Sequence, residues 1–544
     1  MQDSRTLLGK VRLLTVHHHV QSGHVTDPQA SRVAPANASN QADNETYVSR
    51  VAPEPLAPPV RATVDEVSGV TIGIDVGTSR VRTLAVDGSG AVLASATSSH
   101  PPPSERAGGH REQDARGWWP AVERSLCELT AVLPRHDIGA VAVTTPSGIV
   151  VPVDRRGEPA GPALLAGDVR GAEYNRAAAH AGAARWRRLG LAVKADSAIG
   201  RIAWLAGNQP RLAGVRHPAD LVTARLTGRD NDTSSAHAVA CGYDPLGGEW
   251  PTEVLDALKV GRRLLPRVVA PGTRIGKVSR LAAALTGLPV GCPVVAGVTE
   301  GYAQQLASGA VTPGQFVGIL GSRYRLRGVT EGLVPDPSGT VSSQPHPDGW
   351  WLPGGASNTG DAWLPEDSDR LDAAACARGP AGIVAYPLRG SGERFPFASP
   401  EAHGFTSAEP ADEVELHRAR VEGVAFVERL ALDHLRRLGI PVTDPLLAAG
   451  DLHSPLWTQV RATVTGLGVR PSPHAEPAYG AALLALGAIV PGGLIEACSG
   501  AAGGTVVEPV PGEQDAMTES YHRFCTELHA RGWIDDELFA VATR

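Results

Sequence analysis

The run VTIGIDVGTSRVRTLAVD, residues 70–87, constrains the fold more than any other stretch of the chain. An apolar strand ends on an acidic residue, Asp75, passes through a tight Gly-Thr-Ser turn and returns as a second strand. A further turn at Gly88-Ser89-Gly90 leads into AVLASATS, which predicts a three-stranded antiparallel meander. DARGWWPAVERSLCELTAVL follows, with Val122, Leu126 and Leu129 at helical spacing and Asp114 placed to cap the start. IGAVAVTT and IVVPVD are then short apolar strands, so strands, helix and strands alternate as in an α/β layer fold.

Residues 1–67 are polar and rich in Ala, Pro, Asn and Ser without periodicity, and are expected to form a disordered leader. Ala-rich helices and loop-rich runs between about 171 and 292 read as an insertion on a first lobe spanning 68–292. At CPVVAGV a second apolar strand leads into EGYAQQLASG, and FVGIL with RYRLRGV reads as another hairpin. The strand-turn-strand theme thus returns roughly 240 residues further on, which predicts two similar lobes with a cleft between them. The second lobe is placed at 293–510 and a helical tail at 511–544.

Composition narrows the chemistry. A net charge of −7 and a pI near 6.2 give no broad positive field, so nucleic acid is not the expected partner and small-molecule chemistry is. Six scattered cysteines with no CxxC pair argue against a zinc site or disulfide framework and fit a reducing cytoplasm. No stretch approaches the roughly 18 uninterrupted apolar residues of a membrane span.

Within GIDVGTSR, backbone N–H groups at Gly77, Thr78 and Ser79 suit phosphate oxygens, because a glycine turn lets the backbone approach closely. Asp75 is expected to hold Mg²⁺ through water, and Arg80 to add positive charge beside the phosphates. The competing reading is an ordinary hairpin turn with a solvent-facing aspartate.

Around this octet, HREQDARGWW, PALLAGDVR, YDPLGGEWP, TGLPVGCPVVAGVTE, WLPGGASNTG, YPLRGSGERFPF and EPAYGAALLA follow in an order and spacing that resembles the FGGY carbohydrate kinases. The resemblance spans about residues 70 to 490 and is nearest to the D-ribulose kinase and xylulokinase-like branch. It implies a two-lobed actin/hexokinase/Hsp70-like ATPase (ribonuclease H-like) fold with an interlobe cleft. It also implies ATP and Mg²⁺ as cofactors, a small ketose or polyol as acceptor, and a homodimer.

Carried over by position, the resemblance puts the catalytic carboxylate at Glu300, where relatives have aspartate; the alternative is that Glu300 only caps its helix. The second phosphate turn is GSRYR, with Gly321 and Ser322 retained and Arg323 either clamping the terminal phosphate or filling its place. The adenosine motif reads AAGDLHSPLW, giving Gly450 and Asp451. Asp168 and Arg170 frame the sugar, with Ala166 and Gly167 leaving room for a larger acceptor. Arg201 holds an acceptor oxygen or a substrate phosphate or is a surface helix residue, Asn358 bonds the acceptor or nucleotide or belongs to a purely structural loop, and Glu393-Arg394 is a packing and ion-pair element. Because three active-site motifs depart from the pattern together, a degenerate kinase acting as a nucleotide or sugar sensor, or a scaffold, is the second reading.

Overall fold

The computed structural model describes residues 47–49, 69–133, 138–443, 445–450, 454–501 and 503–544. Two mixed sheets are built on one plan. In the first, the meander Val92–Ser99, Arg80–Val86, Val70–Val76 continues in parallel into Ile138–Thr144 and Pro293–Val295. In the second, Trp351–Ala356, Arg325–Gly328, Phe316–Leu320 continues in parallel into Leu446–Gly450 and Val469–Pro471. The recurrence read from the sequence is therefore a repeat of topology, and each lobe ends its central strand on a turn.

Helices close the sheets. Trp118–Ala131 buries Trp118, Val122, Leu126 and Leu129 against the first, and Asp114 accepts from the amide of Arg116 just before it, as a capping aspartate should. The 25-residue helix Glu413–Arg437 buries Phe426, Val427, Leu430 and Leu435 in the second lobe.

Two boundaries differ from the sequence reading. Pro293–Val295, assigned to the second lobe, hydrogen-bonds into the first sheet beside Ile138–Thr144, because its pairing partner lies far back in the chain. The tail is not an appendage: Pro511–Ala530 buries Met517, Tyr521, Phe524 and Leu528 in the second-lobe core. The leader lies outside the described residues except at Tyr47–Ser49, which adds an antiparallel edge strand to Val92–Ser99 and departs there from an unstructured reading.

The lobes meet through close-packed backbone. Helix Pro477–Gly487, from the second half of the chain, lies on strand Val70–Val76 where Gly73 has no side chain. A Cβ at Gly73 would stand 1.9 Å from the carbonyl oxygen of Ala478, and one at Gly480 would stand 1.8 Å from that of Ala303 in helix Glu300–Ala307. Backbone cannot rotate away as a side-chain tip can, so Gly73→Ala should destabilise by about 1–3 kcal/mol or more. Gly332→Ala, with nothing within 4 Å of its Cβ, is the silent control. Equal unfolding midpoints for the two variants would show that this packing is loose.

Candidate active site

The two turns face each other across an interlobe cleft of about 500 Å³. Asp75, Gly77, Thr78, Ser79, Arg80, Glu300, Gly321, Ser322, Arg323 and Gly450 all line it, so residues far apart in the chain are brought together as expected. Asp451 lies outside the described residues.

The first turn is held from behind. The amide of Gly77 donates to the carbonyl of Arg80 at 3.0 Å, and Gln113 Nε2 donates to the carbonyls of Thr78 and Pro101, both at 2.8 Å. His100 Nε2 lies 3.1 Å from the carbonyl of Gly77. Gln113 therefore supports the phosphate turn, while residues 77–79 keep their outer face exposed.

Asp75 is not the solvent-facing aspartate of the competing reading. Its Oδ1 is shut off from solvent without a hydrogen-bond partner. Burial, and then the nearby Glu300 carboxylate, push its pKa up to about 8 against the opposing pull of Arg82 and Arg80. A carboxylate so placed, with a free buried oxygen, fits a divalent cation. Among the described residues no cluster of three or more His, Cys, Asp or Glu could cage a metal, so the donor set suits Mg²⁺, which completes its shell with water and phosphate oxygens.

Glu300 opens helix Glu300–Ala307, and its amide donates to the carbonyl of Thr145 at 2.9 Å, fixing the helix end against the first lobe. The cap position belongs to Thr299, and no side-chain capping bond forms there. The Glu300 side chain is instead part-exposed in the cleft, with Arg325 Nη1 3.8 Å from Oε1. Arg325 also donates to Gln304 Oε1 at 3.0 Å. Sequence reading missed Arg325, although the alternation of arginines in RYRLR signals one face of a strand.

The second turn rests on the GGASNTGD loop. The amide of Tyr324 donates to the carbonyl of Thr359 at 2.7 Å, and that of Asp361 to the carbonyl of Gly321 at 2.9 Å. Gly360 is required here, since a Cβ would stand 2.3 Å from the carbonyl oxygen of Gly321. Beneath it, buried Glu428 accepts from Arg461 at 2.6 and 2.7 Å and from the Tyr324 hydroxyl at 3.0 Å. Nothing in the local sequence pairs these residues. Gly450, with φ of +127°, sits opposite Leu320, and a Cβ would stand 1.9 Å from the Leu320 carbonyl oxygen.

The expected acceptor residues are placed differently. Asn358 spends its side chain on the carbonyl of Gly392 at 2.8 Å and its amide on Glu393 Oε1 at 2.7 Å, and does not line the cleft. Glu393 also accepts from Ser357, Thr359 and Tyr386 and is a packing hub, but the ion pair expected with Arg394 does not form, as the Arg394 Nε donates to the carbonyl of Ala356. Asp168 is buried and turned toward Arg170, which bonds it through Nε and Nη2 and reaches Glu112 at 2.6 Å. Burial raises the Asp168 pKa, but the bonds from Arg170 and the Arg111 amide outweigh it and hold the carboxyl below its ordinary value.

Arg201 is not a surface residue. It is 1% exposed and holds the carbonyls of Gly148 at 2.6 Å, Asp168 at 3.2 Å and Asp196, tying three loops together. Asp168, Arg170 and Arg201 thus form one bonded cluster with the loops around them and are not among the residues lining the cleft. A larger hollow of about 880 Å³ on the first lobe, lined by Trp118, Arg216 and Asp220, contains none of the expected site residues.

Comparison with known proteins agrees with this architecture. Residues 70–307 match the N-terminal domain, and residues 329–489 the C-terminal domain, of the FGGY family of carbohydrate kinases. A xylulose kinase of Streptomyces rubiginosus is 31% identical over 437 residues, covering 77% of this chain and 88% of that protein. The crystal structure of xylulose kinase from Rhodospirillum rubrum superposes with a TM-score of 0.75 at 25% identity, covering 85% of this chain and 98% of that one. Plasmodium falciparum glycerol kinase with ADP shares the fold at 16% identity, with a TM-score of 0.74 and coverage of 86% and 99%. Among the described residues no helix is long and apolar enough to cross a membrane. With both family domains matched in order and the two-lobed actin-like ATPase fold in place, the chain belongs to the FGGY family of carbohydrate kinases.

Proposed function

We propose that the protein transfers the γ-phosphoryl group of ATP, with Mg²⁺, to a hydroxyl of a ketose, polyol or related sugar. The observation that carries this reading is the convergence of two glycine turns, one per lobe, on a cleft holding Asp75 and Glu300. Mg²⁺ bound with the nucleotide neutralises phosphate charge and draws electrons from the bond to be broken. The N–H groups of Thr78 and Ser79 and of the turn at 321–323 hold phosphate oxygens, the Gly77 amide being already bonded to the carbonyl of Arg80, while Arg80 and Arg323 offset the charge of the transferring group. Glu300 orients the acceptor hydroxyl and takes its proton as that oxygen bonds to phosphorus and the bond to the β-phosphate oxygen breaks. The cluster of Arg201, Asp168 and Arg170 positions the acceptor side without touching the reacting atoms.

The test is incubation with ATP, Mg²⁺ and a panel of D-xylulose, D-ribulose and larger or acidic sugars, read by mass spectrometry. One acceptor should gain a single phosphoryl group in step with ADP release. Nucleotide binding without product across the panel would contradict the proposal and favour the sensor.

A further inference from the structure

The cleft carries more positive charge than two phosphate turns and a cation require. Arg325 and Arg327 stand two apart on strand Arg325–Gly328, whose period puts them on one face, and Arg323 lies in the turn just before it. Arg325 Nη1 lies 3.0 Å from Gln304 Oε1 and 3.8 Å from Glu300 Oε1. A Cβ on Gly301 would stand 3.5 Å from Arg327 Nη2, so that guanidinium lies beside the first turn of the helix carrying Glu300. Arg394 joins from the neighbouring loop. Its Nε donates to the carbonyl of Ala356 at 3.0 Å, and Ala356 is the strand partner of Arg325.

Among the described residues, the 3.8 Å approach of Arg325 to Glu300 is the one ion pair any of these four arginines makes. Glu393, the nearest acid in sequence to Arg394, is already engaged by three hydroxyls and two amides. Burial and then the neighbouring arginines lower the pKa of both Arg327, to about 10, and Arg394. Like charges gathered without acidic partners are unfavourable unless an anion completes them. Arg327 and Arg394 do not line the space between the phosphate turns. Arg394 is also influenced by Asp196, whose carbonyl Arg201 holds alongside that of Asp168.

We propose that Arg325, Arg327 and Arg394 form an oxyanion subsite for the acceptor, so that the sugar phosphorylated is itself acidic: an aldonate or a sugar phosphate. The subsite rests on the kinase reading for its place in catalysis, but its ligand chemistry can be tested without turnover. Guanidiniums pair with carboxylate and phosphate oxygens through two parallel N–H donors, a geometry a neutral polyol cannot use.

The experiment is calorimetric titration of the full chain, with Mg²⁺ and a non-hydrolysable ATP analogue present, using matched probes. D-gluconate is set against D-glucitol, and D-ribulose 5-phosphate against D-ribulose; the two pairs separate carboxylate from phosphate. In at least one pair the acid should bind on the order of 10- to 100-fold more tightly. Arg394→Gln, at an exposed position, should remove that preference and leave the affinity for the nucleotide analogue unchanged; Arg327→Gln is the second variant, should the first misfold. Equal or tighter binding of the neutral members, no binding by any probe, or loss of nucleotide affinity in place of acid affinity would each overturn the subsite. Acid binding that depends on Arg394, without phosphoryl transfer in the mass assay, would sustain the subsite and sink the kinase reading instead.

Discussion

Glu300→Gln removes phosphoryl transfer, lowering kcat by on the order of 10²–10⁴-fold, the range supplied by a positioned general base. The amide keeps the size of the side chain and its place at the helix start, so affinity for Mg·ATP should change little. A second consequence separates this from simple damage. Glu300 is one of the two groups that raise the pKa of Asp75. Neutralising it should bring the Asp75 titration, followed by NMR, to lower pH. Glu300→Asp probes the extra methylene: a displacement of about 1 Å costs on the order of 100-fold where the reacting geometry is set by this longer acid. Full turnover in Glu300→Gln would contradict the assigned role outright.

Asp75→Asn should abolish Mg²⁺-dependent turnover and, in the metal-free protein, change how stability depends on pH. The folded pKa of Asp75 is raised from 3.8 to about 8. The native state therefore holds a proton that the unfolded chain has lost between those values. The stabilisation is complete below pH 3.8 and is lost as pH rises through about 8. The limiting slope is about 1.4 kcal/mol per pH unit. Asparagine resembles the protonated acid and has no such slope, so the variant should gain on the wild type by about 1–3 kcal/mol between pH 6 and pH 8. Urea unfolding of both proteins at the two pH values reads this difference. Parallel behaviour would mean that Asp75 is not strained by burial. Mg²⁺ with nucleotide should reverse the trend in the wild type, because a cation replaces the proton.

What the sequence revealed follows from the range of the interactions involved. The GIDVGTSR turn was legible because strand, acid and glycine turn are consecutive, and its recurrence at FVGIL-GSRYR predicted the two-lobed plan. The plan brought the turns at Asp75 and Gly321 to one cleft, whereas Glu300 and Gly450 were placed there by the family resemblance. The lobe boundary was not legible, since the pairing of Pro293–Val295 with Ile138–Thr144 spans about 150 residues of chain. Arg201 looked like a residue free to meet an acceptor because its three partners are backbone carbonyls, which carry no sequence signal. The buried Glu428–Arg461–Tyr324 network under the second turn is similarly silent, as each partner stands on a different element. Asp168 and Arg170 were expected to frame the sugar, but they bond one another and do not line the cleft.

The most direct measurement is a crystal structure of the full chain with Mg²⁺ and a non-hydrolysable ATP analogue. The terminal phosphate is predicted to lie between the turns at 77–79 and 321–323, with the cation on the Asp75 side and the Glu300 carboxylate open to the acceptor. A nucleotide bound elsewhere, or Arg323 and Arg325 occupying the place of the terminal phosphate with Glu300 locked to Arg325, would contradict it.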